Sequence, residues 1–217
     1  FVHVSSVATI CASKPEPADA DERQGFNPDG HTSDYAWSKY MAELEVFRGM
    51  EEGLNATIVN PSIILGRAGG NESSGRLPAY ATRNRIFYPS GWLNYVDARD
   101  VAGAIGSLLE TDRGSGLRLV LNAGTIPYRN FFEKAAALTG KKAPFLPCPI
   151  WLARAVGLLS EAAAAIGGGR PALTRFTAAS SGRKVRYKSV NLENLLPGFR
   201  FLSLDDSLSY IFDKNRS

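Results

Sequence analysis

Cysteine, histidine and methionine are scarce in this chain, two of each in 217 residues. Cys11 and Cys148 are too few for a disulfide framework, and neither stands at metal-ligand spacing from His3 or His31. A disulfide-rich scaffold and a Cys/His metal site are therefore excluded, and a reducing, cytoplasmic compartment is expected. Charge of one sign is lacking too: 25 Lys and Arg face 21 Asp and Glu, a net charge of +4, and basic runs stop at pairs such as Lys141-Lys142 and Arg183-Lys184. That pattern is no nucleic-acid footprint, so no nucleic-acid partner is expected. Long uncharged apolar runs are missing as well. The most apolar stretch, Pro149 to Gly169, carries Arg154 and Glu161 and ends in three glycines. It reads as a helix packed in a lobe or at an interface, so no membrane span and no membrane partner are expected. No basic segment precedes an apolar one at the first residues, so no secretory signal is expected.

What is present is the make-up of a globular chain, 44% hydrophobic and 21% charged, with 21 Gly and 12 Pro. Phe1 to Val4 is a strand that begins without a cap or turn, from which a truncated chain is expected. A Pro-, Asp- and Gly-rich loop runs from about Ser13 to Ser33, and loops of that length tend to be functional or mobile. Asp34 to Glu52 is predicted as a helix, capped by Ser33 or Asp34 and closed by Gly53; Trp37, Tyr40, Met41, Leu44 and Phe47 give it an apolar stripe predicted to be buried. Ala56 to Val59 is a strand running into Asn60-Pro61, and Ser62 to Gly66 continues extended. Further on come a helix from Val101 to Glu110 capped by Asp100, a strand from Leu117 to Leu121, and a helix from Tyr128 to Leu138 ending at Gly140. Helices follow near Ile150–Ile166, Leu173–Ala179, Val190–Leu195 and Leu204–Asp213, the last with Ser203 and Asp206 as a near capping box. Strand–helix alternation of this kind predicts an α/β fold with a parallel sheet over residues 1–140, interleaved with lobe segments, and a mostly helical lobe over 141–217. The strands are few for a complete doubly wound sheet.

One constellation carries chemistry. Ser5 and Ser6 end the first strand, and Tyr35 and Lys39 stand four residues apart on the helix, so phenol and ammonium share one helical face. An ammonium beside a phenol favours the phenolate, which makes such a tyrosine a usable general acid or base, and a Ser hydroxyl can hold the substrate oxygen. Spacing alone is a weak sign: about 0.3 such pairs arise by chance in this composition, and the chain has two, the second at Tyr210 and Lys214 without a Ser-bearing strand before it.

Context separates the two. Phe1-Val2-His3-Val4-Ser5-Ser6-Val7-Ala8-Thr9, then Tyr35 and Lys39, then Asn60-Pro61-Ser62-Ile63-Ile64-Leu65-Gly66, then Asn94 to Ala102 resemble, in order and spacing, successive landmarks of the extended short-chain dehydrogenase/reductase family. The resemblance spans nearly the whole chain. It implies the C-terminal part of a Rossmann-like doubly wound parallel sheet with a small helix-rich substrate lobe, and NAD or NADP as cofactor. It implies Tyr35 as the catalytic acid/base, Lys39 as partner of the nicotinamide ribose, and Ser6, with Ser5 behind it, as the group orienting the substrate oxygen. Val59, Pro61 and Ser62 would lie beside the nicotinamide, largely through backbone, and Asn60 would face the substrate; read alone, Pro61 is equally a strand terminator. The two helices beginning near Asp34 and Val101 are implied as a homodimer interface.

The family's Gly-rich phosphate loop is not in this sequence, and Gly66 to Gly70 and Gly167-Gly168-Gly169 do not stand between a strand and a helix as that loop does. Its N-terminal half is expected upstream of Phe1. Ser6-Val7-Ala8 stands where dehydratases of the family resemble one another in Thr-Asp-Glu, which removes the carboxylate for elimination. Cys11-Ala12 and Leu93 replace the Tyr-Gly and diphosphate-gripping Arg of sugar-nucleotide epimerases. The chain is most similar to the dihydroflavonol-reductase and hydroxysteroid-dehydrogenase-like branch, which implies hydride transfer on the carbonyl or alcohol of a small, fairly apolar molecule; an NAD-dependent sugar epimerase and a non-catalytic dinucleotide-sensing or interaction protein are the alternatives. His31 reads as a solvated loop residue and Arg99-Asp100 as helix capping. Trp92, Tyr95 and Tyr88 read as core or cleft aromatics.

Overall fold

A computed structural model describes residues 1–12, 15–27, 33–67, 73–111, 116–167 and 174–213. His31, Ala68, Gly69, Gly70, Gly168, Gly169 and Lys214 lie outside the described residues. The fold is α/β with parallel sheets, as the alternating pattern predicts. Three strands, β1 (Val2–Val4), β3 (Thr57–Pro61) and β7 (Arg118–Leu121), form a parallel sheet in the order β1-β3-β7. All five residues of β3 are buried, as expected of a strand covered on both faces. Two strands of this region were not legible as such: β2 (Ala18–Ala20), inside the long loop, pairs in parallel with β10 (Val185–Tyr187). β4 (Ile63–Leu65) pairs in parallel with β6 (Trp92–Asp97).

The chain forms two compact units, and their boundary is not at residue 140. The first unit comprises 1–75, 94–125 and 185–217, the second 76–93 and 126–184. The core of the first unit joins Val59, Leu119 and Leu121 of the sheet to Val101, Ala104 and Leu108 of α3 (Ala98–Leu109) and to Leu195 and Leu196 near α7 (Leu192–Leu195). α8 (Leu204–Phe212) ends the described part of this unit and is capped by Ser203, whose hydroxyl accepts from Asp206 N. α3 starts three residues earlier than the periodicity suggests, because Asp97 caps it by accepting from Arg99 N; Asp100 instead accepts from Leu202 N at 2.9 Å.

The second unit holds α2 (Ser73–Ala81) in large part, the parallel pair β5 (Phe87–Pro89) and β9 (Leu146–Cys148), α4 (Tyr128–Thr139), α5 (Ile150–Gly167) and α6 (Arg175–Ser181). β8 (Gly124–Pro127) carries the chain into it. α4 stops at Gly140, which takes φ 67°, the left-handed conformation that closes a helix without a Cβ penalty. Phe131 and Phe132 meet edge-on at 5.3 Å in its interior. Of the two readings of the apolar stretch, packing within a lobe does not hold: of the eighteen residues of α5 only Gly157 is buried. Among the described residues it is the one helix long and apolar enough to cross a membrane, with a mean hydropathy of 1.4.

Candidate active site

The site is built at the carboxyl ends of β1, β3 and β7, where parallel α/β sheets receive ligands. Val4 pairs with Val59, and Ser5 N donates to Val59 O at 2.8 Å. A single 3-10 turn, Val7–Thr9, follows. Ser6 caps that turn, its Oγ accepting from Ala8 N at 3.2 Å. The Ser6 hydroxyl hydrogen remains available to donate, because the cap uses the oxygen as acceptor.

Helix α1 (Asp34–Glu51) lies against this strand end. Ser33 Oγ accepts from Ala36 N and fixes its first turn, and Gly53 at φ 98° follows its last. Its inward face is not the apolar stripe. Ala36, Glu43 and Val46 are buried, whereas Trp37, Met41 and Leu44 are exposed. The aromatics beside them cluster locally, Phe26 stacking on Tyr40 at 4.3 Å and meeting Trp37 at 6.1 Å. With Glu43 inward, Lys39, four residues back, also turns to the sheet, and its Nζ donates to Val4 O at 3.0 Å. Tyr35, a further turn back, is 54% exposed. Lys39 is thereby brought to the Ser5–Ser6 strand end, and Tyr35 stands at the open margin of the same helical face.

Behind Ser6 is a buried polar clamp that the sequence did not disclose. Glu43 Oε1 accepts from Thr9 Oγ1 at 2.8 Å and Asn60 Nδ2 at 2.7 Å, and Oε2 lies 3.3 Å from Arg118 Nη2. Asn60 Nδ2 also donates to Ser6 O at 3.1 Å. The clamp ties α1, the 3-10 turn, β3 and β7 together and sets the height of α1 against the sheet. Asn60 is fully buried and its amide nitrogen is taken up in this way, so its side chain faces inward where the resemblance implies a substrate contact. Val59 is also fully buried, its side chain in the core and its carbonyl oxygen taken by Ser5 N, so it supports the site from within the sheet. The one advance sign of Glu43 is its spacing, four residues past Lys39; its partner Arg118 is 75 residues away in sequence.

His3 sits on β1 with Nε2 buried and without a partner among the described residues. Burial pushes its pKa down, the Lys39 ammonium pushes it further, and the Glu43 carboxylate opposes both. The balance favours the neutral imidazole. Near α3, burial alone would raise Asp97, but the Arg99 guanidinium, bonded to both of its carboxylate oxygens, holds it below the usual carboxylate range.

The residue after each of the three parallel strands is polar and has an unsatisfied buried oxygen: Ser5 Oγ after β1, Ser62 Oγ after β3 and Asn122 Oδ1 after β7. Buried polar atoms are almost always hydrogen-bonded in native proteins, so three orphans along one sheet edge mark a place where a polar ligand completes the set. A dinucleotide end fits this chemistry. A cavity of about 440 Å3, lined by Ser107, Thr111 and Leu195–Phe199, contains none of these residues and is separate from the site.

Over residues 1–96 the chain matches the model of an NAD-binding family described as Male sterility protein. It is 31% identical over 158 residues to a Synechocystis sp. protein assigned, in its name, as a dihydroflavonol 4-reductase; the match covers 70% of this chain and 45% of that protein. It is 30% identical over 164 residues to sterol demethylase protein B of Methylococcus capsulatus, covering 74% and 48%. The chain spans about half the length of the curated relatives it matches. Of solved structures, gox2253 aligns with a TM-score of 0.76 at 28% identity, over 98% of this chain and 64% of that one. The Pseudomonas aeruginosa nucleoside-diphosphate-sugar epimerase PA4631 aligns at 0.73 and 22% identity, over 98% and 65%, and shares the Rossmann-type fold.

Proposed function

Because the chain belongs to the extended short-chain dehydrogenase/reductase, NAD-dependent epimerase-like family, we propose that the protein is an NAD(P)-dependent oxidoreductase acting on a carbonyl or alcohol of a small, largely apolar molecule. The observation that carries this reading is the bond from Lys39 Nζ to Val4 O, which draws α1 onto the Ser5–Ser6 strand end with Tyr35 one turn away. When bound, the nicotinamide supplies the hydride chemistry. Lys39, the backbone of Pro61 and the Ser62 hydroxyl would hold the cofactor, with Val59 beneath it in the sheet. Ser6 donates its hydroxyl hydrogen to the substrate oxygen and fixes its direction. Tyr35 gives a proton to that oxygen in reduction and removes it in oxidation, and its exposure lets the proton exchange with solvent.

An apolar substrate is supported by the Ser6-Val7-Ala8 sequence, which offers no carboxylate, by Leu93 in place of a diphosphate-binding Arg, and by the reductase and sterol names of the two curated relatives. The two free thiols are in keeping with a cytoplasmic setting. The test is turnover of a carbonyl and alcohol panel with NAD and NADP, by the protein and by Tyr35→Phe. Loss of at least about a hundredfold in kcat with cofactor affinity kept within a few-fold is expected, following the usual worth of a positioned general acid. Unchanged turnover in Tyr35→Phe refutes the assignment. Normal cofactor binding with no turnover across the panel favours a dinucleotide sensor.

A further inference from the structure

The apolar side of α5 faces solvent. Trp151, Leu158, Leu159 and Ile166 recur at i, i+7, i+8 and i+15, one face of a helix, and Trp151, Leu159 and Ile166 are 71%, 70% and 91% exposed. A soluble helix places such a face inward, so this surface is built to be covered. Two more exposed apolar residues, Ile86 and Phe145, stand immediately before β5 and β9. Phe145 N donates to Ile86 O at 3.1 Å, and both side chains are exposed.

The charge of the chain is divided unequally. Residues 76–93 and 126–184, the unit that contains α5, hold twelve Lys and Arg and two carboxylates, Glu133 and Glu161, a formal balance of +10. The rest of the chain holds thirteen basic and nineteen acidic residues, a balance of −6. The near-neutral total conceals this asymmetry. Four of these cations share one end of a strand pair in this unit. Arg83 and Arg85 precede β5, Lys141 and Lys142 precede β9, and β5 and β9 are paired. At the amino-terminal end of α5 a Cβ on Gly182 would lie 3.4 Å from Ile150 Cδ1, and Arg183 and Lys184 follow directly in sequence.

We propose that this unit docks on the surface of an anionic phospholipid bilayer, with α5 lying in the plane of the interface and its Trp151–Leu159–Ile166 face in the acyl boundary. An exposed apolar helix on a strongly cationic unit is the chemistry that binds such surfaces, the apolar face entering the lipid and the Lys and Arg side chains of the unit meeting acidic headgroups. Spanning is a different matter. It would bring Arg154 and Glu161 into hydrocarbon, which both residues oppose. A second copy is a poorer occupant, since it would bring together two units that each carry a formal charge of +10. Docking on a bilayer departs from the expectation of no membrane partner, because the apolar face that the sequence suggests is packed or at an interface is exposed on α5.

The experiment is sedimentation of the protein with vesicles of phosphatidylcholine, and of phosphatidylcholine with about 30 mol% phosphatidylserine, near the acidic fraction of a charged leaflet. Binding to the acidic vesicles at least ~10-fold tighter than to neutral ones, and weakened by high salt, is expected. Trp151→Ser with Leu159→Ser should lower that binding at least ~10-fold with an unchanged circular dichroism spectrum. Lys141→Glu with Lys142→Glu gives a second arm and should reduce it without touching the apolar face. Equal binding to both vesicle types, no binding, or full binding by the Trp151/Leu159 variant overturns the proposal. So does a dimer that the Trp151/Leu159 variant abolishes, which would assign the face to a second copy. Tyr35→Phe should bind vesicles as the parent does, so failure of this inference and failure of the catalytic reading are separable.

Discussion

Glu43→Ala tests whether the buried clamp sets the position of α1. Glu43 is 2% exposed, and its loss leaves the Arg118 guanidinium, whose side chain is 13% exposed, without a counter-charge. Thr9 Oγ1 and Asn60 Nδ2 lose an acceptor at the same time. Removing one member of a buried pair costs about 3–5 kcal/mol. Arg118 keeps a bond to Gln24 O at 3.2 Å, and Asn60 keeps Ser6 O, which places the expected loss near the lower end, ~3–4 kcal/mol. For a chain of this size that is a fall in Tm of about 6–16 °C. Urea denaturation followed by circular dichroism measures it. Arg48→Gln, which breaks the exposed 2.9 Å pair with Glu45, is the control and should change stability by less than ~0.5 kcal/mol. Glu43→Met with Arg118→Met should recover at least half of the loss, since a buried ion pair replaced as a unit is often neutral. A single-variant loss below ~1 kcal/mol, or a double variant costing the sum of both singles, refutes the clamp.

Three further outcomes are expected. His3 carries a pKa below its unfolded value near 6.5, so the unfolded chain takes up the proton first as pH falls; stability is intact above about pH 6.5 and declines below it, and urea titrations at pH 7.5 and 5.0 should show that difference narrowed in His3→Gln. Gly91→Ala would put a Cβ against Arg183 O and 2.5 Å from Ser181 O, all rigid backbone, and should cost at least ~3 kcal/mol or abolish folding, whereas Gly106→Ala in open space on α3 should be neutral or stabilising in the same melts. Ser33→Ala removes the cap of α1 and should cost ~1 kcal/mol, with amide exchange of the turn that holds Tyr35 rising before the rest of the helix.

The helices were legible where local chemistry decides them. Ser33, Gly53, Gly140 and Ser203 mark real ends because caps and left-handed turns are set within a few residues. The inward face of α1 was misread because Trp37 and Tyr40 group with Phe26 of the preceding loop, and Glu43 takes the buried position for the sake of Arg118. A sequence pattern weighs a carboxylate as solvent-facing and has no means of seeing a cation on β7. β2 and β10 escaped notice because each is three residues long and their pairing joins Ala18 to Val185. At the site, the order of Ser5–Ser6, Tyr35–Lys39 and Asn60–Ser62 along the chain pointed to one sheet edge. The three orphaned oxygens along that edge could be found only once the strands were in register.

The interleaving of the two units bears on how the protein is made. The polypeptide leaves the first unit after residue 75, returns at 94, leaves again after 125 and returns at 185. β2 is synthesised early, yet its partner β10 follows about 165 residues later, and Leu195 and Leu196 of the first unit's core later still. A ribosome therefore releases the whole of 126–184 while the first unit still lacks part of its interior. Until then the edge of β2 and the apolar faces of β7 and α3 are exposed, a state that calls for chaperone cover and that makes late truncations far more damaging than their distance from Tyr35 suggests.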